Sequence, residues 1–210
     1  MVIPALPPLV LASASPRRRD LLHAMGLDFQ VHPADINEDP SPGEGAASLV
    51  RRLALAKVAH CRESHPRSLV LAADTVVVAQ ASAGEELLGK PTDPAAARSM
   101  LRRLSGRQHL VLTGMALAGP EGVTAQQLAR TQVTFLPLSD ALIDWYVSTG
   151  EPYDKAGAYG VQGRAALFVS RLEGSWTNVV GLPLDGLEAL FRDAGQDFTR
   201  YLVDGHASPS

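Results

Sequence analysis

The chain has 210 residues, carries a net charge of −3 and is 46% hydrophobic. That length can bury a substantial core, in one large domain or in two lobes of one domain. The near-balanced charge gives no global reason to bind nucleic acid or an anionic membrane. The single cysteine, Cys61, rules out an internal disulfide framework and fits a reducing compartment.

No apolar run approaches the roughly 18 residues that span a bilayer. Val2 to Leu11 is apolar and precedes Ala12-Ser13-Ala14, which mimics a cleavage site. Nothing basic precedes Arg17, however, and Pro4, Pro7 and Pro8 break a helical core, so this reads as a loose start and not a secretory signal. The expectation is a cytoplasmic chain forming one domain over residues 1–210, with residues 1–8 and 200–210 flexible.

Leu9 to Ala12 reads as a short buried strand, and Ser15-Pro16 starts a helix that runs through Leu21, Leu22 and Met25 to stop at Gly26. The polar stretch His32 to Gly45 is a loop. Ala46 to about Ser64 carries apolar residues at helical spacing. Leu69 to Ala79 is a nearly unbroken, β-branched apolar run and predicts a buried strand. Thr92-Asp93-Pro94 starts a helix that Ser105-Gly106 closes. Two strands follow, His109 to Ala118 and Leu128 to Leu138, joined by the turn at 119–122. Ser139 caps a helix ending at Gly150, a glycine-rich loop runs to Gly163, Ala166 to Arg171 forms a strand, and Pro183 opens a last helix with Leu187, Leu190 and Phe191. Helices and strands alternate imperfectly around a hairpin, which predicts an α/β fold with a mixed sheet.

Four segments carry candidate chemistry. At Ser13-Ala14-Ser15-Pro16-Arg17-Arg18-Arg19 a strand gives way to hydroxyls and a helix N-terminus, which favours an anion, and arginines supply planar donors for phosphate oxygens. The competing reading is an ordinary cap with a solvated basic face. Asp74 lies inside the buried strand, where a carboxylate costs several kcal/mol unless paired or metal-bound, so it is a candidate metal ligand or general base. Thr75 then sits on the other face or at a kink. Leu49, Leu53 and Lys57 share one i, i+4 row, so Lys57 either snorkels from an apolar stripe or aims into a phosphate cleft; on spacing alone the snorkel is the commoner outcome.

Residues 151–163 pack Asp154, Lys155, Gln162, two tyrosines and three glycines into a segment suited to closing over a ligand. A Gln amide both donates and accepts and can read the N3–H and O4 edge of uracil or thymine. Gly84 to Lys90 matches the spacing of a P-loop, but Pro91 replaces the Ser/Thr that holds Mg²⁺ and lacks an amide N–H. That reading is rejected, and Lys90 remains as a second cation near Asp74. The six histidines show no zinc spacing, and no Gly-x-Ser-x-Gly elbow marks a hydrolase triad.

Taken together, LASASPRRRDLL (11–22), the acid Glu38, RLALAKV (52–58), AADTVVV (72–78), the stretch 89–114, EPYDKAGAYGVQG (151–163) and GSWTNVVGLPL (174–184) resemble the Maf family. The resemblance implies an elongated, twisted mixed sheet with flanking helices in two lobes around a cleft, related to inosine-triphosphatase-like pyrophosphatases. It implies hydrolysis of a nucleoside triphosphate to monophosphate and pyrophosphate with a divalent cation, Mg or Mn. It places the catalytic acid on Asp74, with Glu38 and Lys57 in support, and so favours the phosphate-cleft reading of Lys57. Asp74 and Glu38 would hold the metal, although Asp39 beside Glu38 competes for that part. Arg17, Thr75 and Gln162 fall at positions of substrate choice and match the branch acting on dTTP, UTP and modified pyrimidine nucleotides. Ser13, Ser15, Arg18, Lys90 and Lys155 would bind phosphates. A homodimer and a non-catalytic role in septum formation are the further implications.

Overall fold

The computed structural model describes residues 6–81, 84–122 and 124–202. The expected flexibility of 1–5 and 203–210 lies outside the described residues. In chain order the elements are β1 (Leu9–Leu11), α1 (Pro16–Ala24), β2 (Gln30–Val31), α2 (Ala46–Ser64), β3 (Leu69–Ala81), β4 (Gly84–Leu88), α3 (Pro94–Leu104), β5 (Gln108–Ala118), β6 (Thr124–Phe135), α4 (Asp140–Ser148), β7 (Val169–Glu173), α5 (Trp176–Val180) and α6 (Leu187–Asp193). Short 3₁₀ turns fill much of 151–168.

The strands form one mixed sheet in the order β2-β1-β3-β5-β6-β7, parallel across β2-β1-β3 and antiparallel from β3 to β7. Two predicted strands need correction, and residues 84–88, given no element from sequence, form another. Residues 84–88, the rejected P-loop, fold back on β3 as an antiparallel strand. The second hairpin strand begins at Thr124, not Leu128, because β5 pairs with it along its whole length despite Gln126 and Gln127. The strand predicted over 166–171 starts at Val169; Arg164–Phe168 is a 3₁₀ turn that buries Ala165 and Phe168.

One strand organises the molecule. The side chains of β3 alternate across the sheet, as a fully buried strand requires. Val70, Ala72, Val76 and Val78 face α2, packing with Ala54, Val58 and Cys61 or with Ala46 and Val50. On the other face Leu69, Leu71 and Ala73 join α1 and α6, whereas Val77 and Ala79 join α3 and α4. Asp74 interrupts the first row and Thr75 falls between the two clusters of the second. Between Leu69 and Ala79, Thr75 alone is more than marginally exposed.

The pairing of β3 explains why the cleft opens there. β5 covers one edge from Val70 to Ala79. The other edge is shared: β1 pairs with Leu69–Leu71 and β4 with Val77–Ala81. Among the described residues no strand covers residues 72–76 on that edge. A sheet whose neighbours part in this way leaves a crevice at the parting, the place where open α/β sheets take ligands. On the covered side Gly114 faces Asp74 in register. A Cβ at Gly114 would collide with the Val50 carbonyl and come within 2.9 Å of the Arg51 nitrogen. Glycine is what lets the backbone of α2 lie against the sheet beside Asp74.

Candidate active site

The crevice is a cleft of about 640 Å³, within the range of small-ligand sites. Every site residue nominated from sequence lines it: Ser13, Ser15, Arg17, Arg18, Glu38, Lys57, Asp74, Thr75, Lys90, Lys155 and Gln162. They arrive from six separate stretches of chain.

At the floor, Asp74 is 9% exposed and Lys57 7%. Lys57 Nζ lies 2.6 Å from Asp74 Oδ1 and 2.6 Å from Glu38 Oε1. Lys57 therefore does not snorkel; it turns inward from the middle of α2 and ties two acids together. Of the two acids left in competition, Glu38 is the one whose carboxylate reaches this cluster, while Asp39 gives its backbone carbonyl to Arg52 at 3.0 Å. Arg52 also holds Glu44 through two 2.7 Å bonds, so the segment just after Glu38 is strapped to α2 at two points. Burial alone would raise the pKa of Glu38, but the hydrogen bond and charge of Lys57, helped by Lys90 and Arg18, outweigh it and hold the carboxyl below its usual range.

The opposite wall is built around Arg18, which is 8% exposed. Its Nε donates to the Gly181 carbonyl at 2.7 Å, Nη1 to Ser13 Oγ at 3.1 Å and Nη2 to Thr75 Oγ1 at 3.1 Å. Burial lowers its pKa, and the Asp74 charge acts against that. Ser15 occupies the N-cap position of α1 without a capping side-chain bond, and its own N–H goes to Ser13 Oγ at 3.2 Å. The start of α1 thus presents backbone N–H groups and its positive dipole end to the cleft.

At the rim, Arg17 Nη1 meets Asp154 Oδ2 at 2.6 Å and Nη2 meets the Asp154 carbonyl at 3.1 Å. Lys155 Nζ reaches the Glu151 carbonyl and Asp154 Oδ1, both at 2.6 Å. This clasp pins residues 151–163 to α1. Lys90 and Gln162 stand exposed at the same rim.

The donors suit a hard divalent cation. Asp74 and Glu38 are neighbours across Lys57 Nζ, each 2.6 Å from it, and such cations in phosphate-processing sites take one or two carboxylates and complete their shell with water and substrate oxygens. Among the described residues no group of three or more His, Cys, Asp or Glu side chains could hold a metal by itself, so the remaining ligands would have to come from substrate and solvent.

A family model described as Maf-like protein matches residues 8–194. The chain belongs to the Maf family. Its Maf relatives include a dTTP/UTP pyrophosphatase of Myxococcus xanthus, 52% identical over 187 residues that cover 89% of this chain and 92% of the relative. Another, of Anaeromyxobacter dehalogenans, is 51% identical over 192 residues, covering 90% and 95%. A third, of Moorella thermoacetica, is 51% identical over 193 residues, covering 90% and 96%. Among solved structures, the Staphylococcus aureus Ham1 protein aligns with 61% of this Maf chain and 71% of its own at a TM-score of 0.46 and 16% identity.

Sequence reading left unassigned three residues that support the cleft lining from behind: Arg52, Thr113 and Asn178. Arg52 sits inside a quoted motif, RLALAKV, but nothing local says which carboxylate or carbonyl it will meet. Thr113 and Asn178 are both 0% exposed. A buried threonine in a strand reads as a β-branched core residue, so only its partners reveal a polar task.

Proposed function

We propose that this chain hydrolyses dTTP, UTP and related pyrimidine nucleotides to the monophosphate and pyrophosphate, with a divalent cation, Mg or Mn. The observation that carries the reading is the Lys57 ammonium joining Asp74 and Glu38 at the floor of a cleft whose walls are Arg17, Arg18, Lys90 and Lys155. The names of the relatives agree with it.

The residues divide the work by chemistry. Asp74 and Glu38 would hold the cation, which when bound supplies positive charge against the phosphate oxygens and so lowers the repulsion met by a nucleophile. Asp74 orients a water toward the α-phosphorus and takes its proton as the new P–O bond forms. The bond from the α-phosphorus to the bridging oxygen breaks, and pyrophosphate leaves. Arg17, Arg18, Lys57, Lys90 and Lys155, with Ser13 and Ser15, bind the phosphates and offset charge gathering on the leaving group. Thr75 and Gln162 contact the base. The clasp of Arg17 on Asp154 keeps residues 151–163 over the nucleotide and excludes bulk water.

We take the chain as one two-lobed domain, cytoplasmic and homodimeric, as part of the same proposal; among the described residues no helix is long and apolar enough to cross a membrane. The test is direct. Purified protein with UTP or dTTP and Mg²⁺ or Mn²⁺ should release pyrophosphate, and release of single orthophosphates sinks the reading.

A further inference from the structure

We infer that Glu151 is a positioning residue: it closes the neck of residues 151–163 and so sets Lys155 and Gln162 in place before a nucleotide arrives. The inference rests on the proposed function, which gives Lys155 and Gln162 their tasks, and deepens it.

Every polar group of Glu151 is engaged. Its N–H donates to Thr149 Oγ1 at 3.2 Å, and its carbonyl accepts from Lys155 Nζ at 2.6 Å. The side chain is 16% exposed, and a carboxylate can only accept. Oε1 accepts at 3.1 Å from the hydroxyl of Tyr146, a fully buried residue of α4. Oε2 accepts from the backbone N–H of Arg164 at 3.2 Å. One side chain thus joins the two ends of the segment across 13 positions. Both ends are fastened to the core, because Phe168, just beyond Arg164, packs edge-on against Tyr146 and is itself fully buried. Gly163 makes room for the arrangement, since a Cβ there would collide with the Glu151 carboxylate.

The neck is independent of the substrate, whereas the clasp at the rim is not. Arg17 and Lys155, which hold Asp154, are groups that phosphates would claim. Tyr146, Glu151 and Arg164 do not line the cleft. Without the neck, residues 151–163 would have to be ordered as the nucleotide binds, and apparent affinity falls with the fraction of molecules already in the competent arrangement. Once the nucleotide is bound, Lys155 and Gln162 stand where they stand in the wild type. The loss therefore falls on binding and not on turnover.

Glu151→Ala should raise KM for UTP by about tenfold and leave kcat within about threefold of the wild type. Glu151→Gln, whose amide can still meet both the Arg164 N–H and the Tyr146 hydroxyl, should keep KM near the wild-type value. Gly163→Ala, which displaces the carboxylate without removing it, should repeat the effect of Glu151→Ala. Hydrogen exchange without nucleotide reads the neck apart from activity. The Arg164 amide should exchange at least about tenfold faster in Glu151→Ala, while the Gly157 amide, held by the Gly89 carbonyl at 3.0 Å, keeps its rate. A fall in kcat at unchanged KM, or equal acceleration at both amides, marks a general structural defect and overturns the inference. So does a glutamine variant no better than alanine, or an Arg164 amide whose rate does not change. A wild type that releases no pyrophosphate from UTP or dTTP overturns the substrate reading, and the exchange rates then decide the neck by themselves. Thermal melting identifies any variant that fails to fold; should Glu151→Ala do so, Gly163→Ala carries the comparison.

Discussion

The ammonium of Lys57 stands 2.6 Å from Oδ1 of Asp74, and each side chain is buried. A buried ion pair adds little net stability when intact, but removing one member strands the other charge away from water. The two partners are not equivalent, because Lys57 has Glu38 as well and Asp74 has no second cation in hydrogen-bond range among the described residues.

Asp74→Asn should therefore abolish pyrophosphate release while lowering stability by about 1 kcal/mol or less, since Lys57 keeps Glu38. Lys57→Met should cost about 3 kcal/mol, because Asp74 then faces the loop acid with no cation between them. Urea unfolding of both variants in the absence of divalent cations checks the order; a larger loss for Asp74→Asn contradicts it.

Glu38 has a folded-state pKa held below its ordinary value, the net result of burial opposed by Lys57, Lys90 and Arg18. A depressed carboxyl contributes stability that is present above the unfolded pKa, about 4.3, and is lost as pH falls through the folded value. Glu38→Gln should accordingly flatten the stability–pH curve below about pH 4.3 and leave its slope unchanged near neutrality. Melting temperatures from pH 3 to 7 provide the measurement.

His109 behaves differently. It is 2% exposed, packs edge-on against Phe135 and Tyr159, and its Nε2 lies 2.7 Å from the Tyr159 hydroxyl. Burial lowers its pKa from 6.5 to about 4. Between those values the unfolded chain binds a proton that the folded chain refuses, so stability is full above pH 6.5 and falls as pH drops toward 4. The loss over that window is on the order of 3 kcal/mol. His109→Gln, which can keep the bond to Tyr159, should remove that slope. An equally steep decline in the variant would place the acid sensitivity elsewhere.

Gly114→Ala should push α2 off the sheet at the point where Val50 and Arg51 approach it. Overpacking of this kind costs about 1–3 kcal/mol. Lys57 rides on the same helix, so turnover should fall further than stability suggests, by as much as about 100-fold for a shift near 1 Å. Retained activity in a destabilised Gly114→Ala protein would uncouple the helix position from catalysis.

Much of this fold was readable from local chemistry. The bounds of α2 follow from helical spacing, the burial of β3 from its apolar run, and Ser139 and Asp93 cap their helices through side-chain bonds to Leu142 and Ala96. The strands that escaped notice are those whose existence depends on a neighbour. Gln30–Val31 is a two-residue exposed edge made visible only by β1, and Gly84–Leu88 is half-polar and held by β3.

The site divides in the same way. From its residues alone the chain set out which groups could do chemistry: an acid too costly to bury without a partner, cations near helix starts, an amide in a glycine-rich segment. Burial cost and capping act over a few residues, so they leave a local trace. Tertiary structure alone decided that Lys57 turns inward to join Asp74 and Glu38, that Arg18 bonds Ser13, Thr75 and Gly181, and that Thr113 lies 2.9 Å from Thr75. Those are pairings between groups as many as 163 positions apart, and a side chain's partner is set by which strands share an edge, which no local pattern records.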